Sequence, residues 1–102
     1  MLRSLFGLGP KADLPKLRAE GATILDVRTE QEFSRGHATG AVNIPLDELL
    51  LYLHMIRKDK PVVTCCHSGR RSAMAAETLK SHGFDAHNGG RWTKVQAALS
   101  GQ

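Results

Sequence analysis

Val62-Val63-Thr64-Cys65-Cys66-His67-Ser68-Gly69-Arg70-Arg71-Ser72 sets the reading of this chain. An apolar, β-branched run ends in two cysteines, a short polar turn with one glycine follows, and Ala73-Met74-Ala75-Ala76-Glu77-Thr78-Leu79 then reads as a helix. Strand, tight loop and helix N-terminus in that order aim several backbone N–H groups and the positive end of a helix dipole at one point. A cysteine on the rim of such a nest has its thiolate stabilised, because unpaired amides and Arg70 or Arg71 favour negative charge there. A thiolate within an anion cradle suggests a nucleophile acting on a small anionic substrate.

Outward from this stretch, strands and helices alternate. Asp13 is positioned to cap a first helix with Pro15 in its opening turn and Gly21 at its end. Ile24 to Val27 reads as a buried strand. Thr29 to Glu32 has capping-box spacing and opens a short helix that carries Phe33 inward and stops near Gly36. Ala41 to Ile44 is a short strand ended by Pro45. Leu46, Leu49, Leu50, Leu53 and Ile56 recur at helical spacing and are expected to face the core. Leu51, Tyr52 and Met55 form a second apolar stripe, read either as a surface for a partner or a second copy or as packing against the N-terminal arm. Pro61 to Thr64 is the strand before the cysteines, and the helix after them ends at Gly83. Phe84 to His87 is a last strand, Asn88-Gly89-Gly90 a turn, and Thr93 to Leu99 a closing helix. The pattern predicts an α/β fold, a parallel sheet with helices on both faces, whose ligands bind at the carboxyl ends of the strands.

The whole is 102 residues, 41% hydrophobic and 24% charged, which suits one globular domain. Residues 1–12 read as an N-terminal arm and 13–102 as the domain. The apolar part of the arm is short and broken by glycine, so no secretory signal and no membrane span is expected, and the cytoplasm is the default. The net charge is +4, a modest attraction for anionic substrates. The basic residues are scattered and aromatics few, so nucleic acid is not expected as a partner. Adjacent cysteines close only a strained ring, which argues for free thiols in a reducing compartment. Cys65 and Cys66 point to opposite sides of a continuing strand and the five histidines are dispersed, so no metal site is expected.

Cys66-His67-Ser68-Gly69-Arg70-Arg71-Ser72 resembles the active-site loop of the rhodanese (sulfurtransferase) family. Leu25-Asp26-Val27-Arg28-Thr29 with Glu32-Phe33, Gly36-His37, Gly40-Ala41 and Asn43-Ile44-Pro45 agrees with it, as does Asn88-Gly89-Gly90 with Trp92. The likeness runs from about Asp13 to Leu99. It implies a parallel sheet of about five strands; four are legible, and a fifth would come from residues before Asp13. It implies that Cys66 attacks the outer sulfur of thiosulfate or a similar small anionic donor, carries it as a persulfide, and passes it to cyanide, a thiol or a protein acceptor. The backbone of His67, Ser68, Gly69, Arg70, Arg71 and Ser72 would cradle the substrate, and Arg70 and Arg71 would hold the departing anion. No cofactor is called for.

A rival register begins at Cys65, separated from Arg71 by five residues, the Cys-x5-Arg spacing of cysteine phosphatases and arsenate-reductase-like enzymes. Such signatures usually carry histidine before the cysteine, where Thr64 stands here. A third reading is a module that binds without catalysing. Cys65 is read as a small buried strand-end residue, with a resolving thiol as the alternative. Asp26 and Arg28 are expected to form a structural ion pair or loop brace, and Trp92 to wall the pocket mouth or cap the core. His37 is expected to hydrogen-bond the turn after Gly36.

Overall fold

The structure is a computed structural model that describes residues 12–100. Its centre is a parallel sheet of four strands, β1 (Thr23–Asp26), β2 (Val42–Asn43), β3 (Val62–Cys66) and β4 (Ala86–Arg91), in the spatial order β2-β1-β3-β4. The expected fifth strand, like most of the N-terminal arm, falls outside the described residues. Strand β3 is buried along its whole length, as a central parallel strand covered on both faces must be.

Helices α1 (Leu14–Ala19), α2 (Glu30–Ser34), α3 (Arg70–Ser81) and α4 (Trp92–Leu99) cover the sheet with a 3₁₀ helix over Leu46–Met55. Two apolar layers result. Leu25, Val27, Val62 and Cys66 pack with Leu49, Ile56, Ala75, Ala76 and Leu79 on one face. Ile24, Val63 and Cys65 pack with Leu14, Leu17, Ala38 and Val95 on the other. The period of two along β3 therefore sends the adjacent cysteines into different layers.

Local chemistry explains the helix starts. Asp13 accepts the Lys16 N–H at 3.2 Å, and Pro15 sits in the first turn of α1, where no helical N–H partner is lost. At α2 the Thr29 hydroxyl accepts the Glu32 N–H while the Glu32 carboxylate accepts the Thr29 N–H, a complete capping box. Ala75 and Ala76 are buried where α3 meets the sheet, and Ala73 is half-buried.

The structure departs from five expectations. The segment after Pro45 is a 3₁₀ helix, with a non-helical residue at Tyr52 (φ −117°). At three residues per turn Leu46 and Leu49 share a side, and Leu50 is turned away. The irregularity at Tyr52 adds one residue, so the inward row resumes at Leu53 and Ile56. Leu50 is thus 64% exposed instead of in the core, beside exposed Leu51, Tyr52 and Met55. Phe33 is half-buried, its ring stacked on His37 at 3.7 Å between centroids.

The last strand begins at Ala86, later than Phe84, and runs to Arg91. Asn88, Gly89 and Gly90 consequently lie within β4 and form no turn. Thr64 pairs with Asn88 but Cys65 with Gly90, so Gly89 is the extra residue of a bulge. A Cβ on Gly89 would stand 2.7 Å from Val63 and 2.8 Å from the Thr64 carbonyl oxygen. Glycine is required there for close approach of backbones, a demand no local pattern announces.

Candidate active site

Strand β3 delivers Cys66 to the carboxyl edge of the sheet. His67 to Gly69 form the turn, and α3 starts at Arg70. Gly69 makes this abrupt entry with φ +100°, a left-handed conformation that side chains rarely tolerate. Thr64 Oγ1, on the same face of β3 as Cys66, donates to the Ser72 carbonyl at 2.7 Å and pins the first turn of α3 to the sheet.

The loop closes on one atom. Cys66 Sγ accepts the N–H of Gly69 at 2.9 Å and the N–H of Ser72 at 3.3 Å, and Ser72 Oγ lies 3.3 Å away. The sulfur sits inside the curve of the loop and has no solvent-exposed surface. Burial is the largest influence on this thiol and opposes ionisation. The Ser72 hydroxyl and the N–H groups of Ser72, Gly69 and Ser68 outweigh it together, and Cys66 ionises below the ordinary cysteine value.

Cys65 has the opposite environment. It is buried among Leu14, Leu17 and Val95 on the far side of the sheet. Burial, then the Asp26 charge, pushes its thiol up to about 12. A thiol so placed faces away from the loop and stays protonated, which weighs against an anion site built from Cys65 to Arg71.

The two arginines differ. Arg70 is exposed at the start of α3. Arg71 reaches back to α2, its Nη1 donating to Glu32 Oε1 at 2.7 Å and its Nη2 to Glu32 Oε2 at 3.0 Å. With Val27, Thr29, Pro45, Leu46 and Asp47 it lines a cleft of about 330 Å³. A larger cleft of about 470 Å³ lies at the β2 edge, between Val42, Tyr52 and Met55, and contains none of the loop residues. His67 and Ser68 are exposed on the turn, whereas Ser72 is buried.

Asp26, Arg28 and Trp92 form a separate unit. Arg28 Nη2 donates to Asp26 Oδ2 at 2.8 Å and to the Gly36 carbonyl at 2.7 Å, and the guanidinium lies over the Trp92 ring, 5.0 Å from its centroid. Asn43 Nδ2 donates to the Asp26 and Arg28 carbonyls. This buried pair ties the ends of β1 and β2 to the segment after α2 and to α4, a brace beside the loop. His37 Nδ1 meets the Phe33 carbonyl at 2.8 Å.

Three side chains make contacts at the site that the sequence does not announce. Glu32, besides capping α2, holds Arg71, and Thr64, besides its place in the strand, pins the first turn of α3. Asn88, expected in a turn, places Oδ1 2.7 Å from Ser72 Oγ. Spacing along the chain holds no signal for the Asn88 contact, because it depends on the pairing of β4 with β3, which sets Asn88 opposite Thr64. Among the described residues no three His, Cys, Asp or Glu side chains converge as metal ligands would, and no helix is long and apolar enough to cross a membrane.

Residues 11–94 match the family model described as "Rhodanese-like domain". Two Bacillus subtilis relatives, 43% and 47% identical, align over 64% and 61% of this chain but only 35% and 49% of their own length; the second is the uncharacterized protein YqhL. The thiosulfate sulfurtransferase GlpE of Pseudomonas fluorescens is 32% identical over 74% of this chain and 69% of its own. Among solved structures, reduced CoADR-RHD of Bacillus anthracis superposes with a TM-score of 0.77 at 27% identity, covering 95% of this chain and 18% of that one.

Proposed function

We propose a sulfur-transfer activity for this chain from the premise that it belongs to the rhodanese-like domain family. On this reading it moves a sulfane sulfur from thiosulfate, or a donor of similar charge and shape, to a thiol, cyanide or protein thiol. The Cys66 thiolate attacks the outer sulfur of the donor. The donor S–S bond breaks, its electron pair leaves with sulfite, and Cys66 holds the sulfur as a persulfide. An acceptor nucleophile then attacks that outer sulfur and returns the electron pair of the new S–S bond to the Cys66 thiolate.

The observation that carries the proposal is the set of N–H groups directed at Cys66 Sγ. These donors stabilise a thiolate and, by the same geometry, an anionic persulfide. Two further supports are the exposed Arg70 at the positive end of α3, where an incoming or departing anion is favoured, and the half-exposed Arg71 on the neighbouring cleft. The backbone of His67 to Ser72 forms the cradle, the Asp26–Arg28–Trp92 unit braces it, and Cys65 fills the core behind. No cofactor enters the scheme. Two free thiols suit a reducing compartment, the cytoplasm on this reading.

Mass spectrometry tests it. Incubation with thiosulfate should add one sulfur atom to Cys66, removable by cyanide or a thiol reductant. Cys66→Ser should abolish the addition and Cys65→Ser should leave it. Sulfur appearing on Cys65, or hydrolysis of an aryl phosphate without sulfur transfer, would overturn the assignment.

A further inference from the structure

Asn88 lies on β4, sixteen residues after Ser72 in sequence, yet their side chains meet at 2.7 Å. The orientation of the amide is fixed on both sides. The Gly90 N–H, which can only donate, lies 2.9 Å from Oδ1. The Gly69 carbonyl, which can only accept, lies 3.4 Å from Nδ2. Oδ1 is therefore the atom that faces Ser72, and it takes the hydroxyl hydrogen. A hydroxyl has one hydrogen to give.

We propose that Asn88 is a positioning residue for Cys66, acting through Ser72: its fixed side-chain carbonyl claims the Ser72 hydroxyl hydrogen and turns the Ser72 oxygen lone pairs toward the Cys66 sulfur. The resting chain of donors is then Cys66 S–H to Ser72 O–H to Asn88 carbonyl. When Cys66 loses its proton, the Ser72 hydrogen swings to the sulfur and Asn88 Oδ1 keeps only the Gly90 N–H. Asn88 and the thiolate thus compete for one hydrogen, and Asn88 sets how readily it is released. Ser72 Oγ also lies 3.1 Å from the Gly69 carbonyl, a weaker competitor present whatever stands at position 88.

Other charges act on Cys66. Arg71 on α3 is close enough that each raises the other's charged form. Glu32 on α2 acts through Arg71. Asp26 and Arg28 lie at the end of β1, Cys65 is the preceding residue, Arg91 is the register partner on β4, and His67 and Arg70 are exposed on the loop. A change confined to position 88 keeps all of these groups.

The inference rests on Cys66 being the nucleophile, and the test reads the thiol whether or not sulfur is transferred. The full chain is alkylated with iodoacetamide across a pH series, the modified residue is identified by peptide mass spectrometry, and folding is verified by thermal melting. Asn88→Asp, whose carboxylate holds the Ser72 hydrogen more firmly and adds negative charge, should move the Cys66 midpoint up by roughly one pH unit. Asn88→Ala, which releases the hydrogen to the sulfur, should move it down by roughly half a unit. In a Ser72→Ala background the Ala shift should vanish and the Asp shift shrink to its through-space part. Shifts of the same sign, or none, in folded variants overturn the role of Asn88. Should Asn88→Ala not fold, an unshifted or acid-shifted profile for Asn88→Asp does so alone. Alkylation that misses Cys66 altogether would instead overturn the proposed function.

Discussion

Glu32 holds two elements together, bonding Arg71 at 2.7 Å and 3.0 Å across 39 residues of sequence while completing the capping box of α2 with Thr29. Its carboxyl is lowered from 4.5 to about 2, by the Arg71 hydrogen bond first and the Thr29 N–H next. The same carboxylate therefore couples the N-terminus of α2 to the first turn of the helix that carries the cysteine loop.

Because the folded value is depressed, this stability is present above pH 4.5 and is lost as pH falls through about 2. Glu32→Gln should cost about 1 kcal/mol at neutral pH and flatten the loss of stability over that acid window. Urea denaturation at several pH values measures both effects.

The two thiols should titrate apart. Alkylation at Cys66 should follow an ionisation below the ordinary value, while Cys65 should stay unmodified until the protein is denatured. Cys65 is raised, so its contribution to stability is full below 9.0 and is lost as pH rises toward about 12. Cys66 is lowered, so its contribution is present above 9.0 and lost as pH falls through its folded value. Cys65→Ala should reduce the alkaline loss of stability, at a cost of about 1 kcal/mol at neutral pH.

Gly89→Ala places a Cβ 2.7 Å from Val63, 2.8 Å from the Thr64 carbonyl oxygen and 2.9 Å from Val95. Two of these neighbours are core side chains and the third is backbone, so the expected cost is about 2 to 3 kcal/mol in chemical denaturation. Gly40→Ala is the contrast. Its φ of +79° is strained for alanine but nothing lies within 4 Å, so about 1 kcal/mol is expected.

Adjacent leucines in the 3₁₀ helix should behave unlike one another. Leu49 is fully buried, and Leu49→Ala should cost about 2 to 5 kcal/mol. Leu50 is exposed, and Leu50→Ala should stay within about 0.5 kcal/mol of the unaltered protein. Equal costs would show that the segment packs as a regular α-helix.

Local residue patterns suffice for the order of the elements and the parallel α/β architecture. Asp13, the Thr29–Glu32 box and the β-branched run before Cys65 act on neighbours within a few residues, so their effect is written locally. Alternation along β3 likewise separates the two cysteines without reference to any distant group. The remaining features come from contacts between distant elements. The pairing of Thr64 with Asn88 puts Asn88 against Ser72, and the register slip after it leaves Gly89 without room for a side chain. The approach of α2 to α3 gives Arg71 to Glu32, and the irregularity at Tyr52 turns Leu50 outward. Each depends on how closely elements distant in sequence approach, a quantity fixed by packing of the whole core and carried by no short run of residues.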